Sequence, residues 1–187
     1  MKNYVWVLAL SMSLPLFNAT AQEAPAAEEP VGYQFTDTKF LPTTPIKNQA
    51  QSGTCWSFAG TALLENELLR MGKPEYDLSE MWIVRHCYLD KIERFVRYHA
   101  TCELAGGGGV VDVPYVAANY GLVPESVYMG LNYGYDKHNH NELDIVMRSF
   151  GEAIARSKKP TTAWRAAAMG IIDVYLGEEP EPFVYEG

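Results

Sequence analysis

The sequence predicts a domain built mainly from α-helices. Three observations lead there. Apolar residues recur at helical spacing in five separate segments between residues 55 and 176. Glycines stand just past three of those segments, at 72, 121 and 177, where a left-handed residue ends a helix. Strand-like alternation is confined to a short stretch near residue 33, and no internal repeat is present.

The chain has 187 residues, enough for one domain with a sizeable core. Residues 1–21 read as a signal peptide. Lys2 precedes an apolar run from Tyr4 to Phe17, and Ala19-Thr20-Ala21 offers a small-x-small cleavage pattern. The expected location is therefore exported, periplasmic or secreted. The run is too short for a stable bilayer span, so no integral membrane span is expected after cleavage. Residues 22–32, rich in Ala, Glu and Pro, read as a linker. Residues 33–48 read as extended, with Tyr33 and Phe35 alternating and Pro42 and Pro45 barring a helix.

The first helix is expected from Cys55 to Arg70. Its apolar face carries Trp56, Ala59, Leu63, Leu68 and Leu69, and Gly72 ends it. The second begins at Asp77-Leu-Ser-Glu80, where Asp77 with Glu80 has capping-box spacing and Ser79 is the alternative cap. Ile83, Val84, Cys87, Tyr88, Ile92, Phe95 and Val96 form its stripe. Four glycines at 106–109 break the chain. The third helix spans about 111–120 and closes at Gly121. After a Tyr/Gly/Asn-rich loop, Asn141 can cap a fourth helix that reaches about Ser157. Pro160 opens a fifth, which closes at Gly177. Residues 177–187 form an acidic, Pro-broken tail.

The formal charge is −8 at pH 7, and losing Lys2 with the leader makes it one unit more negative. Such a surface argues against nucleic acid and anionic membranes as partners, since both require clustered Lys and Arg. Three cysteines, Cys55, Cys87 and Cys102, leave one unpaired in an oxidising setting. With Cys55 free, Cys87 and Cys102 are the one available disulfide pair.

Cys55 sits where the Gly53-Thr54 turn enters the first helix. It is a packed thiol, a disulfide half or a nucleophile. A thiol attacks as thiolate, and its unperturbed pKa of about 8.5 leaves little thiolate at neutral pH. The free N–H groups at a helix N-terminus lower that value. Gln49, six residues upstream, has a side-chain amide suited to donating a hydrogen bond to a developing oxyanion. Trp56 reads as a packing residue beside the thiol and a candidate for the substrate side. Glu65 and Glu67 read as a solvated helix face. His86 and His99 read as surface or partly packed residues of the second helix. His138 and His140 form a His-x-His in a solvated loop, with no further His or Cys cluster to complete a metal site. No metal and no cofactor is expected.

Pro45-x-Lys47-Asn48-Gln49 followed by Ser52-Gly53-x-Cys55-Trp56-x-Phe58 resembles the active-site region of papain-like cysteine peptidases. Two departures stand out. Ser52 occupies the place of a disulfide-forming cysteine, and Thr54 that of a Ser or Ala. Asp77-Leu-Ser-Glu80 resembles the family's second-helix start, and counting back from Gly121 aligns Gly107 and Gly108 with the glycine pair that lines the family's cleft. The wording "NQAQSGTCWSFAGTALLENELLR" and "DVPYVAANYGLVPESVYMGLNYG" is similar to the bleomycin hydrolase and aminopeptidase C branch.

The resemblance covers residues 33–187. It implies an α+β papain-like fold, of which residues 33–176 are the helical half, with the β-rich half missing from this chain. It implies Cys55 as nucleophile, Gln49 as oxyanion donor, and Trp56, Gly107 and Gly108 on the substrate side. It places the base His and an orienting Asn in the missing half, because none of the four histidines has a matching context. Expected partners are peptide substrates, that complementary half and further copies of the chain. The function implied is that of a cysteine-type peptidase resembling a thiol aminopeptidase. A catalytically silent fragment that binds peptides or a partner chain is the alternative.

Overall fold

The computed structural model describes Gly32, Tyr33 and residues 35–185. The signal peptide and nearly all of the linker expected from the sequence therefore lie outside the described residues. The chain divides at residues 38 and 39. In the first unit, the exposed rings of Tyr33 and Phe35 lie 6.5 Å apart. The second unit carries five helices: α1 Cys55–Arg70, α2 Glu80–Arg97, α3 Asp112–Tyr120, α4 Asn141–Ala155 and α5 Ala163–Leu176. Among the described residues there is no strand, only isolated bridges pairing Gln51 with Asn139 and Leu78 with Pro124. No described helix is long and apolar enough to cross a membrane.

Helix α2 is the axle. The other four helices all pack on it, and every residue from Glu80 to Tyr88 is buried. Its apolar side chains Met81, Ile83, Val84, Ile92, Phe95 and Val96 meet Val113, Val116, Leu143, Met147, Ile172 and Leu176 from α3, α4 and α5. Each such burial contributes about 1.5–3 kcal/mol. Ser79 is the N-cap, accepting from Trp82 N at 3.0 Å and donating to the Tyr128 carbonyl. Asp77 takes no part in the cap. It pairs instead with Lys47 at 2.6 Å. Arg85, fully buried within α2, donates to the Gly177 carbonyl at 2.8 Å and pairs with Asp173 at 2.6 Å, fastening the end of α5.

Helix α1 has the expected bounds but a different inner face. Ala59 and Leu63 are exposed, while Ser57, Gly60, Thr61 and Glu65 are buried beside Trp56. The face is small and polar because α1 lies very close to its neighbours. A Cβ on Gly60 would stand 2.5 Å from Val113 Cγ2, and Ser57 Oγ donates to the Glu80 carbonyl at 2.9 Å. Asn141 is the first residue of α4 rather than its cap, and His140 occupies the cap position without a side-chain bond. Helix α5 starts at Ala163, and Gly177 ends it with φ +91°. Cys87 and Cys102 are both free thiols, so the pairing considered from the sequence is not formed.

Candidate active site

Cys55 is the first residue of α1, exposed and free. The turn that delivers it is tightly wound. Ala50 and Gly53 both take positive φ, and Ser52 Oγ donates to the Gln49 carbonyl at 2.9 Å while lying 2.5 Å from Thr54 Oγ1. Gly53 at φ +68° needs the conformational freedom of glycine. Thr54 N-caps α1 without a side-chain bond. The first N–H groups of the helix are thus left to face an anion at the cysteine. Gln49 is half-buried at the base of the turn, and its side-chain amide is engaged by no partner among the described residues.

Two loops brace this turn. From one side, Gln51 N donates to the His138 carbonyl at 2.9 Å and His140 N to the Gln51 carbonyl at 3.2 Å, a short parallel bridge. The His138 ring lies edge-on to Phe58 in the first turn of α1, centroids 6.3 Å apart. The His-x-His segment is therefore not a solvated loop. His140 is 1% exposed among Tyr88, Tyr133 and His138. Both of its ring nitrogens, and His138 Nδ1, lack a hydrogen-bond partner among the described residues. Burial first, and the neighbouring His138 second, lower its pKa to about 4, so it is neutral at pH 7. No group of three or more metal-ligating side chains occurs among the described residues.

From the other side comes the glycine-rich loop. Trp56 Nε1 donates to the Gly106 carbonyl at 2.8 Å. A Cβ on Gly106 would stand 2.7 Å from the Ser52 carbonyl oxygen, and one on Gly108 would stand 2.5 Å from Trp56 Cε2. The loop therefore lies flat against both the turn and the indole beside Cys55. Gly107 is exposed with open space at its Cβ position, and its carbonyl accepts from Lys91 Nζ. Gly106 and Lys91 were not singled out from the sequence. A run of four glycines conceals which of them touches something, and Lys91 looks like one more charge on an amphipathic helix.

Below the turn, Lys47 forms a hub. Its ammonium reaches Asp77 at 2.6 Å, Glu80 at 2.9 Å, the Leu78 carbonyl at 3.0 Å and Glu65 at 3.3 Å. Burial opposes its charge, yet the bonds to Asp77 and Glu80 hold its pKa above the ordinary lysine value. Glu65 is thus a buried acid, 1% exposed, and not part of a solvated face. It also accepts from Leu78 N at 2.8 Å. His86 is buried as well, stacked on Tyr120 at 4.0 Å and edge-on to Trp82 at 4.4 Å. His99 is exposed past the end of α2 with φ +53°.

Residues 33–172 match the family described as papain family cysteine protease. Cysteine proteinase 1, mitochondrial, of Saccharomyces cerevisiae strains YJM789, AWRI1631 and S288c is 27% identical over 140 residues, covering 65% of this chain and 29% of each relative. The chain thus spans less than a third of the length of these curated relatives. Their names carry a mitochondrial location, which overturns the exported location read from residues 1–21.

Proposed function

The chain belongs to the papain family of cysteine proteases, and we propose that it carries the nucleophile of a peptidase of the bleomycin hydrolase and aminopeptidase C branch. The observation that carries this reading is the free, exposed thiol at the first position of α1, in a turn braced from two sides. Cys55 as thiolate attacks the scissile carbonyl and forms an acyl-enzyme, which water then hydrolyses. The Gln49 amide donates to the oxyanion that forms in each step. Trp56, Gly107 and Gly108 form the wall along which the peptide lies, paired as an added strand.

The base is supplied by residues outside this chain. Two observations support that. Among the described residues no imidazole is bonded to Cys55, and the chain spans 29% of the relatives' length. Residues 33–176 then act as the helical half of an α+β fold, and the exposed side of α1, with Ala59 and Leu63, suits it to a complementary β-rich half. The second reading is a catalytically silent chain that binds peptides or a partner. The missing bond to Cys55 favours it for these residues alone.

One assay on four proteins separates the two. The 187-residue chain, a version extended through the downstream reading frame, and Cys55→Ala and Gln49→Ala in the extended version are given aminoacyl and peptidyl fluorogenic substrates. The extended protein is expected to turn over and the short chain not to. Cys55→Ala abolishes turnover, and Gln49→Ala lowers it by about 10²–10³-fold. Turnover that survives Cys55→Ala refutes the assignment.

A further inference from the structure

Helices α2 and α3 border an open cavity of about 790 Å³. One face of α2 forms most of it, with Cys87, Asp90, Arg94 and Arg97 at helical spacing, and Asp112 and Tyr115 come from α3. Cys87, 5% exposed, is the floor. Cys55, Gln49 and Trp56 take no part in the lining. The volume is that of a small-molecule site, yet the walls carry charge rather than apolar groups.

Some of those charges are already spent. The Lys91 ammonium donates to the Ala105 carbonyl at 3.0 Å and to the Gly107 carbonyl. Glu93 is held by Arg97 at 2.6 Å and by Arg165 at 2.7 Å. What remains falls into two ends. Asp90 and Asp112 both bear on the Cys87 thiol at one end. Asp112 Oδ2 accepts from Gly109 N at 2.9 Å, and its other oxygen has no partner among the described residues. Arg94 and Arg97 lie one and two turns further along α2. The Arg94 side chain enters no hydrogen bond or ion pair among the described residues, and Arg97 binds Glu93 through Nε alone.

This division selects a ligand class. A polyanion would meet Asp90 and Asp112, a polycation would meet Arg94 and Arg97, and an uncharged molecule would leave both pairs without partners. A molecule with one ammonium and one carboxylate satisfies both. Along the helix axis Asp90 stands about 6 Å from Arg94 and about 10 Å from Arg97, at about 1.5 Å per residue. An extended peptide of two residues spans about 7 Å, whereas a single amino acid falls short. We propose that the α2–α3 cavity binds short peptides with both termini free, the ammonium at Asp112 and Asp90, the carboxylate at Arg94 and Arg97, and a side chain against the exposed rings of Tyr98 and Tyr115. Nothing in this depends on Cys55 being a nucleophile, although a peptidase releases molecules of this class.

Titration of the 187-residue chain with alanyl-phenylalanine, followed by NMR at its backbone amides, tests this. Saturable binding is expected in the millimolar range or tighter, with shifts centred on Arg94 and Asp112. N-acetylation of the peptide, or conversion of its carboxylate to an amide, should each weaken binding by about 10-fold, the usual worth of one charge-assisted contact. Arg94→Gln should weaken the free peptide by the same factor and leave the amide unaffected. Asp112→Asn, which keeps an acceptor for Gly109 N, should weaken the free peptide and leave the N-acetyl form unaffected. A variant that merely loosened the fold would weaken every ligand alike. Prior alkylation of Cys55 by iodoacetamide should change none of these affinities.

Absence of saturable binding to the unsubstituted chain overturns the proposal. So does a free peptide that binds Arg94→Gln and Asp112→Asn as tightly as the unsubstituted chain. Binding that is lost on Cys55 alkylation places the peptide beside the nucleophile instead of in the α2–α3 cavity. That result overturns the proposal and leaves the peptidase reading intact.

Discussion

The Lys47 ammonium and the Glu80 carboxylate, 2.9 Å apart, hold the segment leading to Gln49 against the start of α2. The same ammonium also neutralises Glu65, from α1. Removing it strands two buried carboxylates. Lys47→Met is expected to destabilise the fold by about 3–5 kcal/mol, since an unpartnered buried charge costs more than a lost surface pair. Urea unfolding followed by circular dichroism measures this. A change within about 1 kcal/mol would reduce the hub to a surface ion pair.

The three thiols should separate by reactivity. Burial, with the Asp112 charge adding to it, pushes the Cys87 thiol up to about 12, while Cys55 is exposed at a helix N-terminus. Iodoacetamide at pH 7 is expected to modify Cys55 first, Cys102 next and Cys87 last, as read by timed peptide mapping. Modification of Cys87 at or before Cys55 contradicts the placement of both.

His140 makes the fold sensitive to acid. Its pKa falls from 6.5 to about 4 on folding, so the unfolded chain binds more protons between those values. The stability this represents is present above pH 6.5 and is lost as pH falls through about 4. His86, lowered likewise to about 4 by burial first and by Arg85 second, acts in the same direction. His140→Phe gives up no ring hydrogen bond, because neither nitrogen has a partner among the described residues. It should lessen the loss of stability on acidification while leaving the fold intact at pH 7.5. Thermal unfolding from pH 7.5 to 4 tests it, and an unchanged slope rejects it.

Glu125 works in the opposite sense. Burial first, then the Glu80 charge, raise its pKa from 4.5 to about 7, and Oε2 is buried without a partner. A raised carboxyl contributes stability below pH 4.5 that is lost as pH rises through about 7. Glu125→Gln should therefore stabilise the protein at pH 8 by about 1–2 kcal/mol, a figure discounted for water reaching part of the group. At pH 4.5 the gain should vanish. A gain that is equal at both pH values would mean that charge is not its cause.

Elements whose evidence is local were legible in the sequence. The bounds of α1 follow from periodicity and Gly72, the end of α5 from Gly177, and the start of α2 from Ser79, one of the two caps considered. The placement of Cys55 at a helix start also needed only its neighbours. What escaped depends on partners far along the chain. Glu65 is buried because Lys47 neutralises it, and His140 because Tyr88 and Tyr133 enclose it. Periodicity assigns Ala59 and Leu63 to a core face. The close approach of Gly60 to Val113 turns α1 instead onto its small residues. Which glycines of the run at 106–109 bear on the site depends on Trp56 and Ser52, and no spacing rule reaches that far.

The bridge between Gln51 and Asn139 imposes an order of events during synthesis. A chain leaves the ribosome N-terminus first, and contacts between distant residues form last. Cys55 and α1 emerge early, and the glycine-rich loop can reach them next, but the turn lacks its second brace until the 138–140 segment has followed. A growing chain thus carries its thiol in an unassembled setting, and the surroundings of Cys55 are complete only when most of the helical unit is already there to hold them.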